Sequence, residues 1–229
     1  MGLIINQERN IREKMVLFWH NHFSAEMVEI SRGIWCYQNN LTLRANALGN
    51  FRTFVKAITL DTGMLRYLNG YLNTKTAPDE NYGRELQELF TVGKGSDDAS
   101  PPYTEDDVKA AARVLTGWSV DTNSNAAVFT LSKHDLNTKQ FSSFYNSRTI
   151  QGENNQETGS REIDELIAMI FDTSDVALNI CRRLYRWFIY YDIDSVTEEN
   201  FIKPLAQVFR NGNYEIKPLM SAMLKSEHF

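Results

Sequence analysis

YTEDDVKAAARVLTGW, residues 103–118, is the stretch whose reading decides the fold. Thr104 offers the hydroxyl of a helix N-cap, Asp107 stands three residues on to return the bond, and Glu105 and Asp106 set negative charge against the positive end of the helix dipole. Val108, Ala111, Ala112 and Leu115 then share one face, whose small side chains permit close approach of a second helix, and Gly117 supplies the stop. A cap, an apolar face of helical period and a terminator in one run define an amphipathic helix laid against a core.

The same grammar extends in both directions. In DENYGRELQELF, Tyr82, Leu86, Leu89 and Phe90 form an inward stripe that Gly93 closes. Upstream, Phe51, Phe54, Val55 and Ile58 keep helical spacing, with Gly63 and Gly70 as the expected interruptions, and residues 30–39 predict a shorter helix. Between Gln7 and Phe23 the stripe is Ile11, Met15, Phe18 and Trp19; at about 100° per residue His22 falls on it and His20 lies opposite, so only His22 faces inward. Helical patterns return at residues 161–171, 176–191, 198–210 and 216–225, with Gly212 ending the third. From Asp121 to Gly159 the pattern disappears, leaving AVFTLS and SRTIQG as short strand candidates in a polar stretch. The expectation is an all-α, multi-helix single domain over residues 1–229, with a small β-hairpin or irregular excursion near residues 121–159.

Composition narrows the function classes. With 42% hydrophobic and 12% aromatic residues in 229, the chain has ample material for a packed interior. A net charge of −5, with both signs interspersed, argues against a protein that neutralises nucleic-acid phosphates. Arg182, Arg183 and Arg186, the densest basic cluster, read as surface charge on buried stems. Cys36 and Cys181 lack the spacing of a zinc site; free thiols and a disulfide both stay open. No apolar run reaches the length that spans a bilayer. Both ends read as cut, because a helical pattern starts almost at once and LKSEHF follows an apolar helix directly, so any targeting segment is expected to have been left off.

Four blocks, FWHNHF (18–23), LGNFRTFVKAITLDTGMLRYLNG (48–70), ENYGRELQELFTVG (80–93) and YTEDDVKAAARVLTGW (103–118), together with HDLNTK (134–139) and the closing LMSAMLKSEHF, carry a resemblance that spans nearly the whole chain. It resembles the bacterial "domain of unknown function 1800" family. The resemblance implies the central part of a longer protein without an established activity, commonly exported, and often encoded beside a second protein similar to sulfatases. It therefore implies an extracytoplasmic location and a partner. The chain departs from some relatives at Phe90, where a histidine can stand, and in a longer polar insertion after Lys139; the first weakens any metal site relying on a ligand there.

Familiar catalytic motifs are absent: no GxSxG, HExxH, P-loop, GxGxxG or paired CxxC occurs. The candidate catalytic and metal-ligating residues are His22, Glu85, His134 and Asp135, because two imidazoles and one or two carboxylates suit a divalent metal or divide acid and base roles. Asn21, Asn81, Arg113 and Lys139 are the supporting candidates. Against this stands the plainer account of hydrogen-bonded core residues. Glu85 and Glu88 lie one turn apart on a helix, yet Glu80, Arg84 and Glu88 suit ordinary helix ion pairs. Trp19, Tyr82, Tyr103 and Trp118 suit either a sugar platform or core packing.

Three functions are thus in play. The first is an exported accessory or binding protein acting with a sulfatase-like partner on extracellular polymers. The second is a metal-assisted or carboxylate-based hydrolase using the four candidates. In the third, the same residues form a buried network that fixes helix packing. The accessory reading stands first because no recognised catalytic motif is present, and an open cleft as against a sealed centre discriminates the alternatives.

Overall fold

The computed structural model describes residues 10–94, 101–152, 154 and 159–229. Gln7 to Arg9, which the sequence assigns to the first helix, and part of the polar excursion lie outside the described residues.

The deciding stretch forms as its cap dictates. Helix α7 (Glu105–Val114) is opened by Thr104, whose Oγ1 accepts from the Asp107 N–H at 3.2 Å while Asp107 Oδ2 accepts from the Thr104 N–H at 2.8 Å. Its small face does what was expected. A Cβ on Gly83 of α6 (Asn81–Glu85) would stand 3.0 Å from the Ala112 nitrogen and 3.1 Å from the Val108 carbonyl, so these two backbones approach as closely as glycine allows.

Before them come α1 (Arg12–His22), α2 (Met27–Ile30), α3 (Gly33–Asn46), α4 (Phe51–Thr59) and α5 (Thr62–Tyr67). The shorter helix placed at 30–39 is in fact α3, running to Asn46. The break expected at Gly63 falls instead at Leu60–Asp61, where Asp61 caps α5 by accepting from the Met64 N–H at 3.1 Å. Gly63 sits inside α5 for another reason: a Cβ there would meet the Trp35 carbonyl of α3 at 3.2 Å.

The polar excursion holds two antiparallel two-stranded ribbons. Strand β1 (Trp118–Asp121) pairs with β2 (Ala126–Phe129), and β3 (Lys139–Gln140) with β4 (Thr149–Ile150). Both strand candidates in the sequence are strands, yet they pair with different partners rather than with each other. Helices α8 (Arg161–Asp172), α9 (Asp175–Phe188), α10 (Ser195–Thr197), α11 (Lys203–Asn211) and α12 (Ile216–Leu224) follow.

Phe51, Phe54, Val55 and Ile58 of α4 are all buried, as are Ile163, Leu166, Ile167 and Ile170 of α8 and Val176, Ala177, Ile180 and Leu184 of α9; one hydrophobic cluster runs from Met15 to Met223. The late chain is stitched to the early chain where the Phe51 N–H donates to the Tyr214 carbonyl at 2.8 Å and the Ile216 N–H to the Gly49 carbonyl at 2.9 Å. No helix among the described residues is long and apolar enough to cross a membrane. Cys181 is buried, Cys36 half-buried, and both are free thiols.

Asp107 does more than cap: its Oδ1 accepts from the Ser142 N–H at 2.7 Å, pinning the second ribbon to α7. Asp107→Ala is therefore expected to lower stability by about 1–3 kcal/mol, since it removes the bond to the half-buried Ser142 N–H as well as the cap. A urea midpoint unchanged from the parent would refute the double role.

Candidate functional site

Gly117 adopts φ +87°, a conformation that turns the chain out of α7 and into β1. A Cβ at that position would lie 2.9 Å from the Thr130 carbonyl and 3.1 Å from Cβ of His134, so the glycine makes room for the HDLNTK segment to pass directly under the helix end. His134 Nδ1 lies 2.7 Å from the Thr116 carbonyl and 3.1 Å from Thr116 Oγ1, and the Thr116 hydroxyl accepts from the Asp135 N–H at 2.9 Å. Because a carbonyl only accepts, Nδ1 is the donor there. Nε2 lies 2.7 Å from Glu162 Oε1, a contact that holds one proton on the imidazole or on the carboxylate.

The other Glu162 oxygen, Oε2, takes the Lys139 ammonium at 2.5 Å, and Lys139 donates further to the Asp135 carbonyl. Side chains of His134, Glu162 and Lys139 are 1%, 1% and 0% exposed. Burial pulls the Lys139 pKa below the usual lysine value, although the Glu162 carboxylate acts in the opposite direction. At the rim, Asp135 Oδ2 accepts from Arg113 Nε at 2.6 Å, and its Oδ1 accepts from the Asn137 N–H at 2.8 Å. Burial alone would raise the Asp135 pKa, but these bonds hold it down at about 2.

Glu162 is the member that sequence reading missed. It stands on the stripe of Leu166, Met169 and Ile170, all buried, at spacings of four, seven and eight. An inward carboxylate on an apolar stripe demands a buried cation or donor, and that was the available signal.

His134, Asp135, Lys139 and Arg113 thus come together, whereas His22 packs elsewhere and Glu85 takes no part in these bonds. His22, 4% exposed, packs between Phe18, Trp19, Phe23, Phe51 and Phe90, while His20 is exposed as the helical phase requires. Its Nε2 lies 3.1 Å from the Phe90 carbonyl. That carbonyl closes a π-helical turn (Leu86–Phe90) at the end of α6, whose wider spacing leaves terminal carbonyls for side chains to satisfy. Nε2 must donate, so Nδ1 is a bare lone pair, and it has no partner. Burial first, and then the Arg183 charge, push the His22 pKa down to about 3.

Glu85 is partly buried, and its Oε2 has no hydrogen-bond partner. Burial and the neighbouring Glu88 raise its pKa. Arg113, one expected partner, is taken by Asp135, and Asn21 and Asn81 are exposed. Glu88 pairs with Lys94 at 2.9 Å, and Arg84 pairs with Glu80 and Glu105, the structural ion-pair arrangement. Trp19, Tyr82 and Tyr103 are 0%, 3% and 6% exposed, so those aromatics belong to the core. Among the described residues no three His, Cys, Asp or Glu side chains are grouped to hold a metal ion.

Removing the carboxylate from the sealed centre strands a buried ammonium. Glu162→Gln is expected to cost about 3–5 kcal/mol, whereas Glu162→Leu combined with Lys139→Met should cost much less than the two single changes added together. Chemical denaturation of the parent, Glu162→Gln, the two single variants of the pair and the double variant decides this; strict additivity would show that the pair is not coupled.

His22 carries a pH dependence. The unfolded imidazole takes up a proton near pH 6.5 and the folded one only near 3, so its contribution to stability is complete above about pH 6.5 and is lost as pH falls through that window. Urea midpoints between pH 7.5 and 4.5 should fall more steeply for the parent than for His22→Gln, and parallel profiles would overturn the assignment.

No curated protein and no solved structure matches the chain. A family model described as protein of unknown function (DUF1800) matches residues 1–229, and the chain belongs to that family.

Proposed function

We propose that this protein is an exported accessory or binding protein, one that works beside a sulfatase-like partner on extracellular polymers and carries out no hydrolysis through His22, Glu85, His134 and Asp135. The observation that supports this reading is the closure of the His134–Glu162–Lys139 centre. A general acid or base must reach the proton it transfers, and side chains about 1% exposed with every strong donor and acceptor engaged have no room for a substrate atom. Such a network fixes where loops lie. It ties the described part of the excursion between α7 and α8 to the ends of both helices. The partner and the polymer rest on family resemblance alone, and the net charge of −5 speaks against nucleic acid as the polymer.

The test mixes the purified full-length protein with the sulfatase-like protein encoded beside it and with sulfated and unsulfated polysaccharides. Co-elution with the partner, or retardation in a polysaccharide gel, without release of sulfate or reducing ends by this protein alone, is the expected result. Turnover by this protein alone that disappears in Glu85→Gln, with folding intact, would establish the hydrolase instead.

A further inference from the structure

Between β3 and β4 the chain turns through two consecutive left-handed residues, neither of them glycine: Asn146 at φ 57° and Ser147 at φ 53°. Such conformations persist only where the surroundings fix them, and they collect at ligand clamps. Here the Ser147 N–H donates to the Ser142 carbonyl at 2.8 Å, the Gln140 side chain donates to the Ser147 carbonyl at 2.9 Å, and the Tyr145 hydroxyl donates to Gln87 Oε1 at 2.8 Å. Arg148 Nη1 joins the turn to the end of α8 by donating to Asp172 Oδ2 at 2.9 Å.

A cleft of about 190 Å³ lies between these two pieces of chain, lined by Tyr145, Asn146 and Arg148 from the turn and by Met169 and Asp172 from α8. Tyr145 and Met169 are each 2% exposed and form its base, whereas Asn146, Arg148 and Asp172 are exposed and form its rim. The space holds about six waters at roughly 30 Å³ each, the bulk of one sugar ring. Its rim is incompletely bonded. Among the described residues neither the Asn146 side chain nor Asp172 Oδ1 has a hydrogen-bond partner, and the Arg148 guanidinium uses only Nη1. One cation and one anion 2.9 Å apart offset each other, so a simple ion entering the cleft meets its own sign beside its opposite. A hydroxyl meets no such conflict, because it both donates and accepts.

We propose that this cleft binds one neutral pyranose unit. Adjacent hydroxyls of the ring donate to Asp172 Oδ1 and accept from Arg148 and from Asn146 Nδ2, which leaves the ion pair whole. The C–H face of the ring rests on the apolar surface of Tyr145 and Met169. Because the turn is already fixed, binding orders little that was free. The proposal rests on the polymer reading only for the source of the sugar: a unit of a polysaccharide and a free monosaccharide present the cleft with the same chemistry.

Amide NMR of the full chain at neutral pH, titrated with the methyl pyranosides of glucose, galactose and mannose, provides the test. At least one is expected to shift the Asn146 side-chain amide and the backbone amides of residues 145–148 saturably. Asn146→Gly is the clean variant, because glycine keeps the left-handed turn at no steric cost and removes only the amide. It should weaken binding about 3- to 10-fold with the fold intact, and Asp172→Asn at least as much. Gel retardation by dextran and by a galactomannan separates the sources. Retardation lost in both variants assigns a polymer unit to the cleft, while pyranoside shifts without retardation support the cleft for a free sugar and count against the polymer reading. Retardation without pyranoside shifts keeps that reading and overturns the cleft. Shifts that persist unweakened in both variants, or equal shifts with sulfate or glycine at the same concentration, would also overturn it.

Discussion

The described chain between α7 and α8 is organised around one buried ion pair. A lysine ammonium at 0% exposure is tolerable only when an anion and further acceptors surround it, and Glu162 Oε2 and the Asp135 carbonyl supply them. Because Glu162 also binds His134, which in turn binds Thr116, a single carboxylate ties together the first turn of α8, the start of β3 and the exit of α7. Among the described residues the intervening chain forms two short ribbons, and Phe141, Tyr145 and Ile150 anchor it in the hydrophobic core beside this polar centre. Charge pairing adds to the hydrophobic burial that holds the helices and these ring side chains alike. Such a pair contributes little net stability over a packed apolar substitute, but it penalises every arrangement in which either partner is buried alone.

A second joint works by the same logic on a smaller scale. The π turn after α6 leaves the Phe90 carbonyl to the His22 ring, while Thr91 gives its own carbonyl to Asn179. Three segments distant in sequence, α1, the π turn and α9, meet where backbone groups would otherwise be orphaned. The aromatic box around His22 supplies the apolar contact, and the hydrogen bonds supply the register.

What the sequence made legible follows from how local each signal is. The α7 cap, the small face that admits Gly83 and the phase that buries His22 but not His20 are set by neighbours within a turn or two. The α4–α5 break was misplaced because glycine is an ambiguous signal: Gly63 looked like a stop and is a close-contact residue, while Asp61, a plain cap, carried the break. The candidate site was half legible. HDLNTK announced a polar centre, with Arg113 and Lys139 as its members, but its anion came from a helix some two dozen residues on, read only for its apolar stripe. His22 and Glu85 were grouped with it because imidazoles and carboxylates suit a common site, and residue type alone does not specify the partner. Tertiary placement does that, and no periodicity encodes it.

The two polar regions also differ in what they leave undone, and that difference is where function is to be sought. In the sealed centre both carboxylates, both ring nitrogens and the ammonium have partners, so a ligand entering would have to break an interaction at least as strong as any it formed. Around His22 the hydrogen bonding is incomplete, since its buried Nδ1 has no donor. Binding free energy is what remains after the interactions a ligand breaks are set against those it forms, so an incompletely satisfied region is favoured over a complete one even when the complete one holds more charged residues. The density of charged and imidazole groups that HDLNTK and Glu162 bring together therefore points to architecture.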